Sequence, residues 1–133
     1  MQIRKKWLVL VVLVGGIHAL SAAGVPKTWV EKAVAFAPTA PDSCLYFLNC
    51  ALREFDACDD LAGRLRAVQN VATELDMAGH TDAALRLFRA NLQSRLPRPP
   101  ADSTEWDLLA WLYTNLAYTC AYSEGNYETA RQY

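Results

Sequence analysis

Leu61, Leu65, Val68, Val71, Ala72 and Leu75 recur every three or four positions. That spacing gathers them on one face of an α-helix, whereas a strand would scatter them over both faces. It predicts a helix over 61–78, closed by Gly79. The same period returns along the chain between proline and glycine breaks. Thr28 and Glu31 form a capping-box pattern for a first helix from Trp29 to Ala37, which ends before Pro38. Asp42 or Ser43 caps a second helix to about Phe55, with Cys44, Phe47, Leu48, Ala51, Leu52 and Phe55 as its stripe. Asp56 to Asp60 reads as a polar turn, and Asp59 or Asp60 caps the third helix. Thr81 opens a fourth, with Ala84, Leu85, Phe88 and Leu92 inward, and Pro97, Pro99 and Pro100 close it into an extended linker. Asp102, Ser103 and Thr104 offer caps for a fifth helix to about Tyr122, striped by Leu109, Leu112, Tyr113, Leu116, Ala117 and Cys120. After the break at Gly125, Glu128 to Tyr133 reads as the start of a sixth. No run of alternating β-branched residues competes, so the expected class is all-α.

The N-terminus has a different composition. Arg4, Lys5 and Lys6 precede an unbroken apolar run from Trp7 to Val14, extended to Ala19, and Ser21 to Gly24 are small. This is the order of a secretory signal peptide, with Ser21 and Ala23 placed for cleavage before Gly24. Cleavage after Ser21 is the near alternative, and an uncleaved membrane anchor the further one, since Trp7 to Ala23 is at the short limit for a spanning helix. The whole chain carries 13 basic and 14 acidic residues. Three of the basic ones lie in 1–23, so the remaining 110 residues hold ten against fourteen, a net charge of −4. The near-zero net charge of the whole chain argues against nucleic acid as a partner, which would need a basic face for phosphates. The expected location is exported, periplasmic or secreted, with membrane attachment only through an uncleaved leader.

All four cysteines, Cys44, Cys50, Cys58 and Cys120, follow the leader. Export permits disulfides. Cys44 and Cys50 are too far apart on one helix, whereas Cys50 and Cys58 flank the expected turn and are the favoured pair. Four buried free thiols are the alternative. One histidine after the leader, His80, and no close cysteine pair leave no usual zinc set, so no metal is expected. No phosphate loop and no paired Ser–His or Cys–His motif stands out, so neither catalysis nor a cofactor is expected.

Two stretches repeat each other. Asn70-Val71-Ala72 is followed by Gly79 and then Ala84; Asn115-Leu116-Ala117 is followed by Gly125 and then Ala130. In each, a helix stops at a glycine and a small residue lets the next helix pack back closely. Val68, Val71, Ala72, Leu75, Gly79, Ala84 and Phe88, with Tyr113, Leu116, Ala117, Gly125, Tyr127 and Ala130, give residues 61–133 a pattern that resembles the tetratricopeptide repeat, a helix–turn–helix unit. The second unit departs in two ways: Leu116 to Gly125 spans nine positions where Val71 to Gly79 spans eight, and Leu116 follows Val71 by 45 residues, eleven more than the family period of 34, most of it in the proline-rich linker. The resemblance implies antiparallel helical hairpins stacked as a short α-solenoid. The chain then divides into a leader (1–23), an N-terminal helix pair (24–60) and the repeats (61–133), the last repeat incomplete.

Repeats of this family bind proteins or peptides through the first helix of each unit. Carried over by position, that face holds Arg66, Gln69, Asn70, Thr73 and Met77 in the first unit and Trp111, Asn115, Tyr118 and Tyr122 in the second. The fifth helix supports this independently, because its four residues are spaced 4, 3 and 4, on the side away from the leucines. Tyrosine and tryptophan outside a core stripe are the residue types that dominate interfaces. Arg66 stands alone, so a clamp for a terminal carboxylate is not implied. The expected function is an exported adaptor for protein–protein contact in a bacterial-type cell envelope. The alternatives are an assembly subunit that forms homo-oligomers through a C-terminal edge exposing Leu112, Leu116 and Cys120, or a fragment of a longer repeat protein.

Overall fold

The computed structural model describes residues 25–123 and 127–133; the leader assigned to 1–23 and the break at Gly125 lie outside them. The protein is all-helical, and among the described residues no strand occurs. Among the described residues, six α-helices pack against one another: α1 (Val25–Phe36), α2 (Pro41–Ala57), α3 (Leu61–Met77), α4 (Thr81–Arg89), α5 (Ser103–Tyr118) and the short α6 (Tyr127–Ala130). A 3-10 turn at Gln93–Arg95 follows α4, and a π-helical turn at Thr119–Ser123 extends α5.

The turns explain the hairpins. Between α2 and α3, Asp60 N donates to Phe55 O at 2.9 Å and Asp59 N to Asp56 O at 3.2 Å; between α3 and α4, His80 N donates to Leu75 O at 2.8 Å and Gly79 N to Asp76 O at 2.9 Å. Both are Schellman closures, which need a left-handed residue just past the helix. Gly79 fills that place at φ 87°, as its sequence position announced, and Asp59 fills the other at φ 55°. Aspartate is among the few side chains that tolerate that region. Asp60 then caps α3, its carboxylate accepting from Gly63 N at 2.7 Å, and Asp102 caps α5 by accepting from Glu105 N at 2.9 Å. The second helix starts earlier than expected, at Pro41 rather than after Asp42 or Ser43, because proline's fixed φ suits the first helical position. The first also starts earlier, at Val25, which puts Thr28 inside the helix rather than at its cap.

Helices α1 and α2 form one antiparallel hairpin and α3 and α4 the next, and α3 lies between α1 and α5, packing on both. The core follows the sequence stripes: Cys44 and Leu48 from α2, Leu65, Val68, Val71 and Leu75 from α3, Ala84 and Phe88 from α4, and Leu112, Leu116 and Cys120 from α5 are all sealed from solvent. Close approach is enforced at Gly63, where an added Cβ would fall on the Asp60 carboxylate and 2.6 Å from the Phe55 ring.

The expected exposure of Leu112, Leu116 and Cys120 is not found. Helices α3 and α4 cover the inner side of α5, and the π-helical turn packs on α4 and α6. The π-helical turn also falls in the second of the two matching sequence stretches. It lies in the window between Leu116 and Gly125 where nine residues replace eight, and a π turn absorbs one residue without ending the helix.

The proline-rich linker is pinned by a side chain. Arg98 donates Nη1 and Nη2 to the two Glu105 oxygens at 2.8 and 2.7 Å, and Nε to Asp59 Oδ1 at 2.6 Å. Glu105 also accepts from Ala101 N at 2.7 Å. One guanidinium thereby ties the α2–α3 turn, the linker and the first turn of α5. Glu105 is buried, yet the Arg98 hydrogen bonds and the Ala101 N–H hold its carboxyl down at about 2, and the same bonds push Arg98 up.

Candidate functional site

The residues carried over to α3 divide by environment. Arg66 and Asn70 are exposed and border an open cleft of about 370 Å³, whose other walls are Val30 and Glu31 of α1, Phe55, Asp60, Gly63 and Ala67. Gln69 is half-buried and donates Nε2 to Thr73 Oγ1 at 3.2 Å, while its Oε1 is buried without a hydrogen bond. Met77 stands 78% exposed at the end of the helix. The cleft belongs to the α1–α3 side, so Glu31 of α1 joins Arg66 and Asn70 there. Glu31 was read only as a capping residue, and nothing in local spacing links it to a helix thirty-five positions later.

On α5 the aromatic face is free. Trp111 is 62% exposed, Tyr118 58% and Tyr122 70%. Neither the preceding hairpin nor the linker covers them. Tyr118 closes the regular helix and Tyr122 lies in the π-helical turn, and their rings sit 4.6 Å apart between centroids at 31°. This close pair presents one continuous aromatic surface. Asn115 is half-buried and donates Nδ2 to Trp111 O at 3.0 Å. It spends a donor on its own helix, whereas Asn70 makes no side-chain hydrogen bond among the described residues. The two asparagines therefore occupy equivalent places in sequence with unequal capacity for a ligand. Helices α3 and α5 pack on each other, but the cleft of Arg66 opens toward α1, and the aromatics stand on α5.

The expected Cys50–Cys58 bridge is corrected. Helix α2 runs unbroken to Ala57, so eight residues of helix separate the two, about 12 Å along the axis. That is beyond the reach of a disulfide. None of the four cysteines is in a disulfide; Cys58 is exposed, and Cys44 and Cys120 are buried. Burial pushes the Cys44 thiol up to about 11, which keeps it protonated and inert. Among the described residues, no three His, Cys, Asp or Glu side chains gather to hold a metal ion. No helix among them is long and apolar enough to cross a membrane.

A second aromatic group escaped the sequence reading. Trp29 and Phe36 of α1 stack on Phe47 of α2 at 5.9 and 5.3 Å, and Lys32 Nζ lies 4.9 Å from the Trp29 ring centroid. These residues cement the first hairpin by ring contacts and a cation–π contact. The signal was present in the aromatic density of residues 29–47.

Compared with models of known protein families, with curated proteins and with solved structures, the chain matches none.

Proposed function

We propose that the protein is an exported adaptor of tetratricopeptide-like helical hairpins that binds a protein or peptide partner along α5. The observation that carries this reading is the row of Trp111, Tyr118 and Tyr122. Three large aromatics on one helix face are more than half exposed, although the chain buries its leucines efficiently. Exposed aromatic anchors mark surfaces that are covered in an assembly. The stacking of α1, α3 and α5 side by side supports assigning them as first helices of successive units, and the one-residue excess absorbed by the π-helical turn brings the second unit closer to the family pattern. Export rests on the basic, apolar and small-residue order of residues 1–23.

The assembly-subunit alternative depended on an apolar stripe left open on α5. Leu112, Leu116 and Cys120 are sealed from solvent, which removes that support. The adaptor reading is tested by affinity capture from the native host with the wild-type chain, Trp111→Ala and Tyr118→Ala. It predicts a specific partner that both substitutions release with helicity unchanged. A partner retained by both variants, or a concentration-dependent oligomer indifferent to them, argues against it.

A further inference from the structure

The exposed face of α5 carries a charge as well as rings. Asp107 lies one turn before Trp111, so Asp107, Trp111, Tyr118 and Tyr122 form one stripe spaced 4, 7 and 4. Asp107 is exposed and makes no ion pair among the described residues. No lysine, arginine or histidine occurs between Arg98 and Arg131, whereas Asp102, Glu105, Asp107, Glu124 and Glu128 do. The break after the π-helical turn, Glu124-Gly125-Asn126, therefore contributes no base either. Of the two acids within α5, Glu105 is paired with Arg98, which leaves Asp107 as the exposed carboxylate of the helix.

The rings of the row lack a cover that other rings of the chain have. On the first hairpin, Lys32 Nζ stands 4.9 Å from the Trp29 ring centroid and 5.6 Å from that of Phe47. Among the described residues, no lysine or arginine stands in this way over Trp111, Tyr118 or Tyr122. Three electron-rich ring faces, more than half exposed, are thus open beside a carboxylate. Tyr118 and Tyr122 also stand at the C-terminal end of the helix, where its dipole favours positive charge. Each of these terms repels an acidic partner segment and attracts a basic one. Arginine suits the surface best, because a planar guanidinium stacks flat on an aromatic ring. Trp111 and Tyr118 are separated by about 10 Å along the axis. Two arginines three positions apart on an extended segment span about the same distance.

Resting on partner binding along α5, we propose that the partner segment docked there is cationic. It is an arginine-bearing peptide whose guanidinium groups stack on Trp111 and on the Tyr118–Tyr122 pair, with Asp107 as their counter-charge. The test is calorimetric titration of the full chain at low salt with a capped peptide in which two arginines flank two alanines. Control peptides carry citrulline, the neutral isostere of arginine, or glutamate in both places. The arginine peptide should bind saturably at millimolar concentration, the citrulline peptide about tenfold more weakly, and the glutamate peptide not at all. Trp111→Leu keeps an apolar side chain and removes the indole, and should weaken the arginine peptide about fivefold. Asp107→Asn should weaken it by a smaller factor. Glu54→Gln, the same change of charge on the exposed face of α2, should leave it unchanged. No saturable binding of the arginine peptide, equal binding of the citrulline peptide, or a loss from Glu54→Gln equal to that from Asp107→Asn overturns the proposal. If affinity capture yields a partner that Trp111→Ala and Tyr118→Ala release while the peptides show no preference for arginine, the cationic assignment alone falls. If capture yields no such partner, binding along α5 falls with it.

Discussion

Replacing Glu105 by glutamine tests how α5 is held in place. The carboxylate accepts three hydrogen bonds of 2.7 to 2.8 Å, two from Arg98 and one from Ala101 N. Its side chain is 8% exposed and that of Arg98 28%, so the pair sits between a surface ion pair and a buried one. Surface pairs contribute roughly 0 to 1 kcal/mol, and breaking a buried pair costs roughly 3 to 5. Glutamine keeps one acceptor but turns an amide N–H₂ toward the guanidinium, so the expected loss is about 2 kcal/mol, or about 10 °C in Tm for a domain of this size. Asp59→Asn is the internal control. Asp59 is 79% exposed in the same network, and asparagine tolerates its left-handed backbone, so this change should cost about 0.5 kcal/mol or less. The Glu105 carboxyl is held at about 2 against an ordinary 4.5. Its stabilisation is therefore complete above about 4.5 and is lost as pH falls toward about 2. Urea unfolding followed by helical circular dichroism at pH 7 and near pH 2 reads both effects. A Glu105→Gln deficit no larger than that of Asp59→Asn, or one that persists undiminished near pH 2, would refute the reasoning.

Three further outcomes follow from the packing. Gly63→Ala places a methyl group against the Phe55 ring and the Asp60 cap, so it should destabilise by about 1 to 3 kcal/mol despite alanine's better helix propensity, read as a lower urea midpoint. Deleting Ala121 should convert the π-helical turn into regular α-helix; backbone chemical shifts would show the change, and unaltered shifts at the remaining residues of 119–123 would contradict it. Native thiol titration should label Cys58 rapidly and spare Cys44 and Cys120, and unfolding without reductant should release four thiols; two thiols would restore a disulfide.

The helices were legible because their signals are local. The apolar stripe of α3 and the stop at Gly79 need only neighbouring residues to be read. Asp59 was harder, since aspartate serves equally as a cap, and only the closure from Asp60 N to Phe55 O reveals its left-handed backbone. A boundary of two residues decided the cysteines. With α2 ending at Phe55, Cys50 and Cys58 flank a turn, but with α2 reaching Ala57 an unbroken helix leads from Cys50 to Cys58 at its C-cap. The Arg98 network joins Asp59 to Glu105 across 46 positions, a contact that exists only once the fold brings α5 beside the α2–α3 turn. Even so, Asp102 followed three residues later by Glu105 was a capping signature open to reading. On the candidate face, helical spacing put Trp111, Tyr118 and Tyr122 opposite the leucine stripe, and only the packing shows that neither the preceding hairpin nor the linker covers them. The diversion of Asn115 onto Trp111 O did not, because an amide's choice of partner depends on its surroundings.

The most direct test of partner binding along α5 is site-specific photocrosslinking in the native host. A photoreactive residue at Tyr118 or Tyr122 should give a discrete adduct with another protein, and one at exposed Glu54 on α2, away from the aromatic row, should not. Equal adducts from all three positions, adducts only with a second copy of this chain, or none at all would contradict the account.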